Sequence, residues 1–231
     1  MIEPISQQQK AADSILKYAG CAMTSFLRTL AYRYSWIYDS LTAVSSLSVG
    51  GVGRLRCLGL EALQHSLCPG AKVLDLCCGS GEAAAPWLSA GFQVTGLDIS
   101  PNALDLARQR YPELHTVEGL AEDPLLPDKV FDAIQLSISL HEFSRPARKM
   151  VLRSCQRLLR SGGWLVIVDL HPASTLMHLP QQLFCALFET DTAIAMLEDD
   201  LPGQLRQLGF TLVEQRLLAS KALQLITCCQ P

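Results

Sequence analysis

No uninterrupted apolar run in the 231 residues approaches the roughly 18 needed to cross a bilayer. There is no basic surplus either. The net charge of −3 gives no electrostatic footprint for nucleic acid, and no nucleic-acid partner is expected. The opening residues lack the basic, apolar and small-residue succession of a secretory leader, since Glu3 and Gln7-Gln8-Gln9 fall where the apolar part belongs. Cytoplasmic residence is the expectation. The nine cysteines contain no C-x-x-C and no Cys/His ligand spacing, and Cys77-Cys78 and Cys228-Cys229 are adjacent pairs. Neither a metal nor a disulfide framework follows; in a reducing compartment such cysteines are small core residues. With 49% apolar and 18% charged residues, and no internal repeat, the chain reads as one compact domain with additions.

What is present is concentrated in one stretch. Val73, Leu74 and Leu76 form a short apolar strand of the kind buried on both faces of a parallel sheet. Gly79 and Gly81 then allow a tight turn and close approach of a ligand to backbone. A second strand, Phe92–Leu97, ends in Asp98, 17 residues after Gly81, where Rossmann-like folds bind the two hydroxyls of an adenosine ribose. An adenosine-bearing cofactor is therefore expected, and charge selects among candidates. Asp75 ends the first strand and Glu82 follows the turn, with no Lys or Arg between Lys72 and Arg108 to offset them. A dinucleotide would set its pyrophosphate there. S-adenosylmethionine brings a sulfonium and an ammonium group instead, and acid at both ends of the loop suits it.

Along the chain, residues 7 to about 48 carry apolar side chains at helical intervals, so 1–50 reads as a helical N-terminal extension and 51–231 as the main domain. A helix over 55–67 precedes strand one (72–76), a helix over 82–90, strand two and a helix opened by Ser100-Pro101. A weak third strand (114–118), a fourth (131–139), a helix over 145–160 and a fifth strand (164–169) follow. Residues 171–199 read as a helical insertion on the acceptor side. A short helix (201–208) leads to strands 210–218 and 221–229, whose two-residue separation forces an antiparallel pair. The expected architecture is a Rossmann-like, seven-stranded, mostly parallel sheet with one antiparallel edge and helices on both faces.

Four segments, VLDLCCGSG (73–81), GLDIS (96–100), the stretch 119–143 and LLRSGGWLVIVDLHP (158–172), resemble class I S-adenosylmethionine-dependent methyltransferases. The nearest flavour is the ubiquinone and menaquinone C-methyltransferases. The resemblance implies that Asp75, Cys77, Gly79 and Gly81 line the methionine and ribose portion, Cys77 replacing the family's first loop glycine. It implies that Asp98 holds the ribose, that Ile99 lies against adenine and Ala121 and Glu122 flank its edge, and that Gln135 and Ser137 face the sulfonium. Leu120 stands where many relatives have an adenine-contacting Asp. Tyr38, in Tyr38-Asp39, matches a residue that lies over the cofactor.

Methyl transfer is an in-line displacement that needs alignment and exclusion of water, with a base only where the acceptor must lose a proton. His141, Tyr38 and His171 are the catalytic candidates, with Glu142 as a possible orienting partner of His141; each has a plain structural reading beside it. A small, hydrophobic, quinone- or phenol-like acceptor is expected, methylated at oxygen or carbon by a monomer or homodimer. The rivals are a catalytically silent cofactor- or partner-binding protein and, disfavoured by Glu82, a nicotinamide-dependent oxidoreductase. Protein methylation is not expected, because Ser137-Ile138-Ser139-Leu140 holds no Asn-Pro-Pro-Tyr-like motif.

Overall fold

The structure, a computed structural model, describes residues 50–174 and 191–231. All of the extension expected over 1–50 except Gly50, with Tyr38 in it, and most of the insertion lie outside those residues. In chain order the elements are α1 (Val52–Leu63), β1 (Lys72–Leu76), α2 (Ala85–Ser89), β2 (Gln93–Asp98), α3 (Pro101–Arg110), β3 (His115–Glu118) and β4 (Phe131–Ser137). They continue with α4 (Arg145–Leu158), β5 (Leu159–Leu170), α5 (Asp191–Leu197), α6 (Leu201–Gln207), β6 (Thr211–Leu218) and β7 (Leu223–Cys229).

All seven strands join one sheet in the order β3-β2-β1-β4-β5-β7-β6. The first five run parallel, while β7 is antiparallel to both β5 and β6, so the expected antiparallel pair closes one end of the sheet. Strand order reverses between β1 and β4. The crevice at their carboxyl ends is the place where open α/β sheets bind ligands.

Alternation along the central strands feeds two cores. Leu74, Leu76, Ile134, Leu136, Leu165 and Ile167 meet Val151, Leu152, Cys155 and Leu158 of α4 on one face. Val73, Ala133, Val166 and Val168 meet Leu55, Leu58 and Leu63 of α1, with Trp87, on the other. Both faces are apolar, which is why these strands lack the polar alternation of a half-exposed sheet. Ser100 caps α3 by accepting from the Ala103 amide at 3.3 Å, and Ser144 caps α4 by accepting from Ala147 at 3.4 Å. Among the described residues no helix is long and apolar enough to cross a membrane.

Some boundaries differ from expectation for local reasons. Helix α2 begins at Ala85 rather than Glu82, with Pro86 in its first turn. The Ser161-Gly162-Gly163 segment, which reads as a helix stop, is instead a bulge inside β5: Leu159 already pairs with Phe131, and the ladder resumes at Trp164 and Ala133. Gly163 fits there because a Cβ would lie 2.9 Å from the Arg160 carbonyl oxygen. Between β6 and β7, Ala219, Ser220 and Lys221 are left-handed in succession, with φ of 52°, 52° and 73°.

Candidate active site

The loop after β1 is fastened to β2 at each step. The Cys78 amide donates to the Leu97 carbonyl at 3.0 Å, and the Gly79 amide to Asp98 Oδ2 at 2.8 Å. Three loop residues take positive φ: Cys77 (64°), Gly79 (53°) and Gly81 (81°). The glycines have different duties. A Cβ on Gly79 would meet nothing within 4 Å, so its backbone stays open to a ligand, whereas one on Gly81 would sit 2.9 Å from the Tyr111 ring and 3.0 Å from Leu114. Gly81 is thus required by packing and is not among the cavity's lining residues. Cys77 holds a left-handed backbone without being glycine, which costs about 1–2 kcal/mol.

A cavity of about 200 Å³ opens beside the loop, lined among others by Leu55, Arg56, Cys77, Gly79, Ser137 and Ile138. It sits at the β1/β4 switch point. A larger cavity of about 840 Å³ opens at the opposite ends of the strands, by Lys72, Gln93 and His115, away from the loop.

Behind the loop lies a buried polar network. Gln135, 1% exposed, accepts from Trp87 Nε1 at 2.8 Å and donates at 3.1 Å to both Asp75 Oδ1 and the Ala83 carbonyl. Gln135 is therefore committed to holding Asp75 and lies outside the cavity's lining, while Ser137 lines it. The Asp75 Oδ2 atom is buried with no hydrogen-bond partner among the described residues. Burial pushes this carboxyl up to about 7, against the Gln135 hydrogen bond and the Arg56 charge, which lower it. A cation from a ligand would relieve that burial cost.

Glu82 is not the bare anion that its surroundings in sequence suggest. Arg56 Nη2 lies 3.0 Å from its Oε2, and Arg110 Nη1 3.1 Å from its Oε1. The two cations come from α1 and α3, 26 and 28 residues away, so a count of neighbours in sequence misses them. Glu82 alone therefore does not repel phosphate, and the charge case for the cofactor rests on Asp75.

At the rim, Asp98 Oδ1 accepts from the Ser100 amide at 2.9 Å, and the Gly119 amide donates to the Asp98 carbonyl at 3.0 Å, joining the tips of β2 and β3. Ile99 is 64% exposed and Leu120 50%, two large apolar side chains in the open where adenine is expected. Ala121 is in the core, and the Glu122 carbonyl accepts from Ser154 Oγ at 2.8 Å. Leu120 thus presents an apolar side chain at the rim.

His141 lies in a 3₁₀ turn, Leu140–Glu142, after β4. It is 1% exposed, and its Nδ1 is 2.6 Å from Asp169 Oδ1. Asp169, wholly buried at the end of β5, also accepts from the amides of Ser139 (3.2 Å), Leu140 (2.7 Å) and Leu170 (2.7 Å). Burial alone would raise its carboxyl, but the His141 imidazole and the backbone donors outweigh burial and hold it below the usual carboxylate range. A carboxylate only accepts, so Nδ1 carries the hydrogen between the two groups, and when the ring is neutral its lone pair is on Nε2. Glu142, the expected orienting partner, stands 3.6 Å from Nε2. Asp169 is the partner that sequence reading missed, although a carboxylate at the tip of the strand next to β4 was the available signal.

His171 is not brought to the loop. Its Nδ1 is 2.9 Å from the carbonyls of Pro172 and Lys221, and it lines a separate cavity of about 370 Å³ with Asp199, Gln215 and Gln224. Tyr38 lies outside the described residues.

The methyltransferase-domain family model matches residues 73–163. A methyltransferase of Synechocystis sp. is 40% identical over 205 residues, covering 88% of this chain and 96% of that protein. A demethylmenaquinone methyltransferase of Renibacterium salmoninarum is 33% identical over 127 residues, 54% of this chain and 52% of that protein. The TehB-like SAM-dependent methyltransferase of Corynebacterium glutamicum superposes with a TM-score of 0.61 over 88% of this chain and 99% of that one; at 17% identity, this likeness shows the fold. With its sheet order, its loop after β1 and a relative similar over nearly its whole length, the chain belongs to the S-adenosylmethionine-dependent methyltransferases.

Proposed function

We propose that the chain methylates a small, hydrophobic acceptor of the phenol or quinol class, at oxygen or carbon, with His141 taking the proton that the acceptor gives up. When bound, S-adenosylmethionine supplies an electrophilic methyl group on a sulfonium. In this reading the loop at Gly79 and Ser137 aligns the donor, while Asp98, Ile99 and Leu120 hold its nucleoside across the rim. Asp75 balances the positive end. With Asp75 ionised, the form that a bound cation favours, Asp75, Glu82 and Asp98 against Arg56 and Arg110 leave one net negative charge at the site. A ligand with ammonium, carboxylate and sulfonium carries one net positive charge, whereas a dinucleotide would add negative charge.

The observation that carries the acceptor class is the buried His141–Asp169 pair at 2.6 Å. An amine acceptor needs no strong base, but a phenol or an enolisable ring does. The fixed tautomer leaves Nε2 as the atom able to accept that proton, and Asp169 stabilises the imidazolium that results. The likeness to a demethylmenaquinone methyltransferase supports the same class.

The test is methyl transfer from methyl-labelled S-adenosylmethionine to a panel of phenols, quinols and amines. Phenols or quinols are expected as acceptors. Asp169→Asn and His141→Asn should lower turnover by about 10²–10⁴-fold, the typical contribution of a positioned base. Affinity for S-adenosylhomocysteine should change by less than about threefold. Full turnover in either variant removes the base assignment, and exclusive transfer to amines removes the acceptor class.

A further inference from the structure

The sheet ends in two outer lanes of unequal length, β3 with four residues and β6 with eight. Among the described residues no strand pairs with the outer side of β6, so its backbone groups on that side offer a template for another strand. The lane is also open on its faces. Thr211 and residues 213–217 are exposed, and Val213 and Leu217, at 56% and 41%, are large apolar side chains left in solvent. Proteins commonly shield such an edge with a bulge or with like charges. Here the bulge lies between Leu212 and Glu214, at the start of the strand, and residues 214–218 keep unbroken register with β7. The charges are not alike. Glu214 Oε2 and Arg216 Nε lie 3.3 Å apart, which puts an acid and a base on one face of the strand with Gln215 between them in sequence.

We infer that β6 is the seam of a homodimer, pairing antiparallel with β6 of a second copy about a two-fold axis at Gln215. The register follows from the charges. In a symmetric antiparallel pair the residue on the axis faces its own copy, and residues equally spaced on either side face each other. An axis at Gln215 sets Glu214 against Arg216 of the second copy, twice, and brings Val213 level with Leu217 across the seam. An axis at Glu214 would set glutamate on glutamate, and one at Arg216 arginine on arginine. An axis between two residues would oppose side chains from different faces, which the pleat forbids. A charge row that mirrors itself is what a contact between identical patches requires, and an unrelated partner would not call for it. With β5 and β7 between β4 and β6, the seam leaves the β1/β4 crevice open.

Sedimentation equilibrium of the full chain over about 1–100 µM, the range suited to an interface of modest area, should show a dimer. Arg216→Glu sets glutamate on glutamate at both positions and should raise the dissociation constant by about 10–100-fold. Glu214→Arg should do the same with arginines. Combining the two restores the mirrored pairs and should return the constant to within about threefold of the unaltered chain. Affinity for S-adenosylhomocysteine should move by less than about threefold throughout, which reports an intact fold. Salt tests the unaltered chain without any substitution: going from about 0.05 to 0.5 M should weaken the dimer by about 3–10-fold. A monomer over the whole range overturns the seam, as does a dimer indifferent to either single reversal. So does a double reversal no tighter than the singles, or a dimer that holds or tightens as salt rises.

Discussion

Asp75 and Asp98 are both carboxylates at strand ends, and the protein treats them in opposite ways. Asp98 receives two backbone amides at the rim, so its charge is already satisfied and it can accept further donors at little cost. Asp98→Ala should weaken S-adenosylhomocysteine by about 1–3 kcal/mol, or roughly 5–150-fold. An unchanged dissociation constant in calorimetry would remove Asp98 from the ribose. Asp75 is buried with one side-chain donor, and its carboxyl is raised to about 7. Below that pH the folded protein holds a proton that an unfolded chain, titrating near 4, has released. Stability of the unliganded protein should therefore fall as pH rises from about 4 to 7 and then level off. Binding of a cationic ligand must expel the proton, so its affinity should rise with pH, by up to about tenfold per unit, and flatten above 7. Titrations between pH 5.5 and 8.5 test this, and Asp75→Asn should abolish both slopes.

The unit that brings these residues together is α1 lying on the sheet. Gly59 is the point of closest approach, since a Cβ there would run into the Gln135 side-chain oxygen. That oxygen also accepts from Trp87, so it has little freedom to move. Gly59→Ala should cost about 1–3 kcal/mol of stability, seen as a thermal midpoint lowered by roughly 2–12 °C, and should weaken cofactor binding by displacing Gln135 from Asp75. A neutral substitution would mean that α1 shifts freely. The strands were legible because runs such as Val73–Leu76 and Leu165–Val168 are apolar on both faces. Their ends were less so: Ser161-Gly162-Gly163 looked like a helix stop and is a bulge, because a backbone position, not a composition, decides between them. Long-range partners were the least legible. Arg56 and Arg110 neutralise Glu82 across 26 and 28 residues, and Asp169 meets His141 across 28. No local pattern announces such pairs; they exist only once the sheet has set the strand tips side by side.

Taken as a whole, the molecule joins α5 to its body through a buried cation. Arg148 of α4, 1% exposed, pairs with Asp199 at 2.5 Å and donates to the carbonyls of Phe143 and Thr192, linking the turn after β4 to α5. Arg145 reinforces this with Asp199 at 2.9 Å. Asp199→Asn would leave the Arg148 charge buried without its counter-ion, and a loss of about 3 kcal/mol is expected in chemical denaturation. A change below about 1 kcal/mol would show that the carbonyls alone suffice.

Strand β7 is the last of the described strands to be made, yet it occupies an interior lane of the sheet between β5 and β6. Until it emerges from the ribosome, β5 has a row of unpaired amides and carbonyls along one side, and β6 has no neighbour at all. A nascent chain stalled before Leu223 would thus hold a finished loop and cofactor crevice beside an open, adhesive seam. Its safety during synthesis depends on how quickly the final lane is filled.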